Sequence, residues 1–368
     1  MHVSPLLRAV AANGSRLDSI QAARAVAACG VVACHLLGYE TKYLQGPPVA
    51  SSLCQYGMAG VDLYFVISGF VITTMCAGRF GQRGQARRFL AQRAARIYPL
   101  YWVWCVPVLA VFLLRPDLVN SSHAPPDVVR SLLLLPQQNL PLLLVSWTLV
   151  YEMFFYLLFA GALRWVRGQH LPWVLMGWAA FVVASNLALR PDEARPVANL
   201  AFSPLLLEFI AGCMIALCAD RISRRAALLA LAAGLAAFAS ATAVLWSGGA
   251  QFPLGWTRVL VYGAASALVI AGMVGLERSG RRSVPRPLVA LGDASYSLYL
   301  SHVPVIAVVG LSWHRLVAAP PPGVHIVALL TGLAVALAAG VASFHLIERP
   351  LARLSRRLAR VATAPSIR

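Results

Sequence analysis

Arg24 and His35 stand eleven positions apart in one apolar stretch, LDSIQAARAVAACGVVACHLLG. A helix turns 100° per residue, so the two side chains fall within about 20° of one face and roughly 16 Å apart along the axis. Inside a membrane span an ionisable residue costs about 2.5 to 3.5 kcal/mol at the helix centre, which makes each one a functional hypothesis. An imidazole can act as a general base near neutral pH, and a guanidinium holds anions. The plain alternative is that Arg24 snorkels to the headgroups and His35 ends the span.

Other residues fit the same chemistry. Asp62, in GMAGVDLYFVISGFVITTM, enters at about the depth of His35. It could accept from one imidazole nitrogen, fix the tautomer and strengthen the other nitrogen as a base. Its ordinary reading is a helix-start charge that suits the dipole. Arg93 and Arg96, three apart in LAQRAARIYPLYW, share a face at the expected start of the third span. Free amides, the dipole and two forked guanidiniums would suit a polyphosphate there, and a positive flank is the simpler reading. Thr148, Glu152 and Tyr156 follow one another at four-residue spacing on one helical face. A buried Glu152 needs a partner, which His35, a substrate hydroxyl, Thr148 or Tyr156 would supply. Tyr296, Tyr299 and His302 recur at helical spacing in LGDASYSLYLSHVPV, as core residues or as contacts. Ser68, Gly69 and Gly60 read as close helix packing.

The elements that must position these groups follow from composition. Hydrophobic residues are 59% of the 368-residue chain and charged residues 12%; mean hydropathy is +0.71. An ordinary soluble domain is about 25% charged. Apolar runs of about 20 residues recur, the length needed to cross hydrocarbon as a helix, and no β-barrel alternation is present. The expectation is an all-α integral membrane protein of ten transmembrane helices, near 18–38, 57–77, 97–114, 143–164, 172–189, 201–219, 226–246, 257–276, 293–313 and 324–346. The embedded polar residues crowd into the first four spans.

Arginines concentrate in the loops at 78–96, 220–225 and 277–292, before the first span (Arg8, Arg16) and in a basic tail, 351–368. The positive-inside rule then puts both termini in the cytoplasm, and the +18 net charge becomes a topology and anionic-lipid signal rather than a nucleic-acid footprint. Residues 1–38 do not read as a cleaved leader, because Arg24 interrupts the apolar region. Seven cysteines without a CxxC pair indicate neither zinc nor a disulfide framework. The one long connection, 116–142, carries Pro125, Pro126 and Asp127 as a helix start at the outer interface. No internal repeat of the transporter kind is seen.

Taken in order, R24-x10-H35, GVDLYFVISGF at 60–70, R93-x-x-R96-IYPLYW, SWTLVYEMFFY at 146–156, SYSLYLSH at 295–302 and FHLIERP at 344–350 resemble the acyltransferase-3 family of membrane-bound O-acyltransferases, over nearly the whole chain (1–350). Ser301 and His345 depart from it, standing where relatives often have Trp and Tyr. The resemblance implies transfer of an acyl group, commonly acetyl, from cytoplasmic acyl-coenzyme A to a hydroxyl of an envelope or exported polysaccharide, in a bacterial inner membrane and without a metal. It carries family roles to Arg24 and His35 and to Arg93 and Arg96.

From the residues and the resemblance together, His35, oriented by Asp62 or Glu152, is the expected base, and these three are the expected catalytic groups. Arg24, Arg93 and Arg96 would hold the donor phosphates, and Trp147, Tyr156, Tyr299 and His302 would contact substrate. The expected partners are a glycan acceptor and lipid. The competing readings are an acyltransferase for a small molecule or lipid, such as an antibiotic sugar, and a proton-coupled transporter or flippase, since embedded His, Asp and Glu also build proton relays.

Overall fold

The computed structural model describes residues 17–44, 49–119, 124–189, 195–280, 284–317 and 322–362; Arg8, Arg16, Arg281 and Arg282 lie outside them. All regular secondary structure there is helical. Ten helical segments are long and apolar enough to cross a membrane: α1 (Asp18–Tyr43), α2 (Ser52–Met75), α3 (Gln85–Leu114), α4 (Leu144–Trp165), α5 (Gly168–Ala188), α6 (Pro196–Arg221), α7 (Arg224–Ser247), α8 (Gly255–Arg278), α9 (Ser295–Leu316) and α10 (Val324–Ser355).

These are the ten spans expected from hydropathy, with one shift of consequence. The third helix begins at Gln85 rather than near 97, so Arg93 and Arg96 sit two to three turns inside it and away from its free amides. Arginine and glutamine form helix well, but they carry none of the apolar signal by which a span is recognised.

Small residues let the first helices approach closely. A Cβ on Gly60 would lie 2.3 Å from the Ala27 carbonyl oxygen of α1. Further along α2, a Cβ on Gly69 would lie 2.0 Å from the Phe209 carbonyl oxygen of α6. Gly60 and Gly69 are therefore packing residues, as expected; Ser68 instead hydrogen-bonds into the interior.

α1 is pinned at both ends. Glu277, at the end of α8, accepts from the backbone amides of Asp18 (2.9 Å) and Ser19 (3.0 Å) and from the Ser19 hydroxyl. This caps the first turn of α1 from another span. At the other end Glu40 accepts from the amides of Val49 (2.6 Å) and Ala50 (2.8 Å) and meets His325 Nδ1 of α10 at 3.2 Å. Those clamps set the heights of Arg24 and His35.

The connection after α3 folds back on the bundle. Asp127 caps the short helix Val128–Leu132, its Oδ1 accepting from the Arg130 amide at 2.9 Å. Tyr101 of α3 donates to the Ser131 carbonyl at 2.6 Å, and Leu142 and Leu143 are buried. The two π turns among the described residues sit beside ionisable residues: one at Val259–Gly263 follows Arg258, and one at Phe344–Glu348 ends on Glu348. The helix then continues as Arg349–Ala362. All seven cysteines are free.

Candidate active site

A cavity of about 150 Å³ opens between α1, α2, α3, α4 and α9. Arg24, Arg93 and Arg96 line one part of it, and Ser68, Glu152, Tyr156 and Tyr299 line the rest. Their elements explain the convergence: α1 and α2 lie together through Gly60, while the early start of α3 carries both of its arginines on helical surface, Arg96 against Tyr296 of α9 and Glu348 of α10 and Arg93 against Met75 of α2.

The three guanidiniums are not equivalent. Arg96 Nη1 lies 2.5 Å from Glu348 of α10, and the guanidinium rests over the Tyr296 ring at 5.4 Å. Ser297 donates to the other oxygen of Glu348 at 2.6 Å. Arg24 and Arg93 make no ion pair among the described residues, and Arg93 Nε is buried without a hydrogen-bond partner. A guanidinium has five donors and no acceptor, so unpaired ones around a cavity make a receptor for an oxyanion.

Glu152 is held by its own surroundings. Its Oε1 accepts from Ser68 at 2.7 Å and from Tyr156 in a very short hydrogen bond. Tyr299 donates to the Val145 carbonyl at 2.9 Å and lies 2.7 Å from the Thr148 hydroxyl. Tyr156 and Tyr299 thus line the cavity.

His35 and His302 are not among the residues that line the cavity; they pair with each other next to Tyr299. His302 Nε2 is 3.3 Å from His35 Nδ1, with ring centroids 4.9 Å apart at 70°, and Tyr299 stands 5.9 Å from His302. His302 Nδ1 faces the Leu298 carbonyl at 3.0 Å, and His35 Nδ1 faces the Val31 carbonyl at 2.8 Å. A carbonyl can only accept, so for two neutral rings both Nδ1 atoms carry the proton and His302 Nε2 is the acceptor between them. That tautomer leaves the lone pair of His35 on Nε2.

Asp62 does not meet His35. It is fully buried in a two-point pair with Arg258 of α8, at 2.8 and 3.0 Å, and Trp147 and Phe252 flank that guanidinium at 5.7 and 5.2 Å. Arg258 outcompetes an imidazole because a forked cation matches a carboxylate at two points. Trp147 accordingly packs on this pair and does not line the cavity. Nor does Glu152 hydrogen-bond His35; both hydroxyls that it binds go to Oε1.

Nor are the embedded charges confined to the first four spans, as hydropathy led us to expect. Glu208 of α6 lies beside Asp62, and Glu208, Arg258 and Glu348 are all at most 4% exposed. The signal for each was present, an ionisable residue inside an apolar run, and it applies to the second half of the chain as much as to the first.

Comparison with known proteins bears on what this cavity does. The acyltransferase-3 family model, described as an acyltransferase domain, matches residues 17–343. The exopolysaccharide production protein ExoZ of Rhizobium meliloti is 33% identical over 316 residues, 82% of this chain and 91% of that protein. Acyltransferase MdmB of Streptomyces mycarofaciens is 28% identical, over 95% of both chains. O-acetyltransferase OatA of Staphylococcus aureus is 23% identical, over 80% of this chain and 51% of that protein. No solved structure matches. With the family model covering most of the chain and the ten-helix bundle formed around the motif residues, this multi-pass membrane protein belongs to the acyltransferase-3 family of acyltransferases.

Proposed function

We propose that the protein moves an acetyl group from acetyl-coenzyme A to a hydroxyl of an exported or envelope polysaccharide, in a bacterial inner membrane with its arginine-rich end toward the cytoplasm. The observation that carries this reading is the pair of unpaired guanidiniums, Arg24 and Arg93, on a cavity that also holds Glu152, Tyr156 and Tyr299. The donor supplies an activated thioester and phosphate groups, and the arginines match the latter in charge and forked geometry. ExoZ is named for exopolysaccharide production, which supports a glycan acceptor, and the positive-inside rule supports the orientation.

In this mechanism Arg24, Arg93 and Arg96 hold the donor phosphates, with Glu348 fixing the angle of Arg96. Glu152, its Oε1 tied to Ser68 and Tyr156, orients polar groups through Oε2. Nε2 of His35 takes the proton of the acceptor hydroxyl as that oxygen attacks the thioester carbonyl. The carbon–sulfur bond breaks, and the imidazolium returns the proton to the departing thiolate. The products are an ester and a free thiol, so protons and electrons balance. His302 is the positioning residue that holds the His35 ring and its tautomer.

Thiol release from acetyl-coenzyme A by purified protein in nanodiscs, with and without envelope glycan, tests the proposal. General-base assistance is typically worth about 10² to 10⁴-fold, so His35→Ala should lose that much glycan-dependent release while still binding donor. Arg93→Ala should raise the donor KM. Unchanged release in His35→Ala overturns the base assignment. Movement of substrate across the membrane without thioester consumption would replace the enzyme reading with a transporter.

A further inference from the structure

A second, smaller pocket adjoins the cavity at the arginine-rich end of α2 and α3. It is lined by Cys76, Arg79, Arg88, Phe89, Gln92 and Arg93, among others. Arg93 lines both spaces.

Three arginines share this lining. Among the described residues Arg79, Arg88 and Arg93 make no ion pair. Burial pushes the Cys76 thiol up to about 11, while Arg93 and Arg79 pull it the other way, so both guanidiniums act on the same floor. The early start of α3 adds to this. Gly84, at φ 79°, precedes its first turn and no side chain caps it, which leaves free amides within a turn of Arg88. Uncompensated guanidiniums that share a pocket repel one another, and a phosphate dianion relieves the repulsion while meeting their donors.

We propose that this pocket is the subsite for the ribose 3′-phosphate of the coenzyme A donor, read by Arg79 and Arg88, with Arg93 between it and the diphosphate. The inference rests on the donor reading above. The order follows from the molecule: the thioester must travel inward, so the adenosine end lies outward, and a second phosphate locus beyond Arg93 meets these two arginines. A phosphate of an anionic lipid headgroup has the same chemistry, and the test must separate the two.

The test is equilibrium binding of coenzyme A and of 3′-dephospho-coenzyme A to the full chain in phosphatidylcholine nanodiscs, which needs no acceptor. Hydrogen bonds to charged groups are worth enough to predict that wild type binds coenzyme A about 10- to 100-fold more tightly than the dephospho form. Arg79→Gln/Arg88→Gln should bring the first affinity down to the second and leave the second unchanged, which also shows that the variant is folded. Equal binding of both compounds by wild type overturns the subsite and leaves the donor reading standing. So does a double variant that keeps the preference. Binding of neither compound overturns both. Adding phosphatidylglycerol identifies the other source: if the two arginines govern only the competition by that lipid and not the difference between the two nucleotides, the pocket is a headgroup site and the subsite falls.

Discussion

Two clusters of arginine and carboxylate lie within the bundle, and they are arranged in opposite ways. Around Asp62 the chemistry is closed. Two points of Arg258 meet two carboxylate oxygens, Trp147 and Phe252 cover the guanidinium, and the backbone at Gly263 sits so near Glu208 that a Cβ there would lie 2.6 Å from its oxygen. Around Arg24, Arg93 and Arg96 the chemistry is open, because Glu348 satisfies one guanidinium and the other two line a cavity. The same residue types thus build a joint in one place and line a cavity in the other. What separates them is the pairing of the arginines: Arg258 meets Asp62 at two points, with Glu208 beside the pair keeping two buried oxygens free of hydrogen bonds, whereas Arg24 and Arg93 make no ion pair among the described residues.

Breaking the closed cluster should have the largest effect. Asp62→Ala strands a buried Arg258, and removing one partner of a buried pair costs about 3–5 kcal/mol. The expected outcome is a lower unfolding temperature in detergent, with activity lost in proportion to folded protein. The double variant Asp62→Leu/Arg258→Met, which removes both charges of the pair together, should recover stability and thiol release relative to Asp62→Ala. Recovery of stability without recovery of release would return Asp62 to the reaction.

The histidine pair sharpens the comparison at the reacting end. His302→Ala should lower kcat by about tenfold or more, since a small misplacement of a catalytic group is expensive, and leave the donor KM unchanged. A change in KM alone would make His302 a donor contact. In the open cluster, Glu348→Gln removes the charge that orients Arg96, and the donor KM should rise by about tenfold with a smaller change in kcat. An unchanged KM would show that Arg96 needs no orienting partner.

The smallest effect is at Cys76. With its thiol pushed up to about 11 by burial, the thiolate fraction near pH 8 is about 0.1%. Alkylation should therefore be slow at that pH and rise about tenfold per pH unit until the thiol titrates. Arg79→Gln removes one of the charges favouring the thiolate and should slow it further. Faster alkylation in that variant would mean that Arg79 shields the thiol instead of polarising it.

Much of this arrangement was legible in the residues. Runs of about 20 apolar residues require helices wherever the surroundings are lipid, because every backbone polar group must be satisfied within the segment. Asp127 marks its short helix, Gly60 and Gly69 mark close approach, and Glu152, Tyr156, Arg24, Arg93 and Arg96, each a polar group in or beside an apolar run, do line the cavity. The helix start at Gln85 was hidden because hydropathy reports apolar content and not helicity.

Partner choice was not legible. Asp62 and Arg258 are 196 positions apart, and His35 and His302 are 267 apart, so no local spacing links them. Sequence by itself determined the class, the number of spans, the family and the identities of the groups able to do chemistry, since these follow from composition, run length and ordered motifs. Only the tertiary structure decided that Asp62 belongs to Arg258, that His302 belongs to His35, and that Arg24 and Arg93 line a cavity with no ion pair among the described residues. Each of those outcomes is a competition among groups brought within a few ångströms by helix packing, and the winner depends on geometry that the order of residues does not contain.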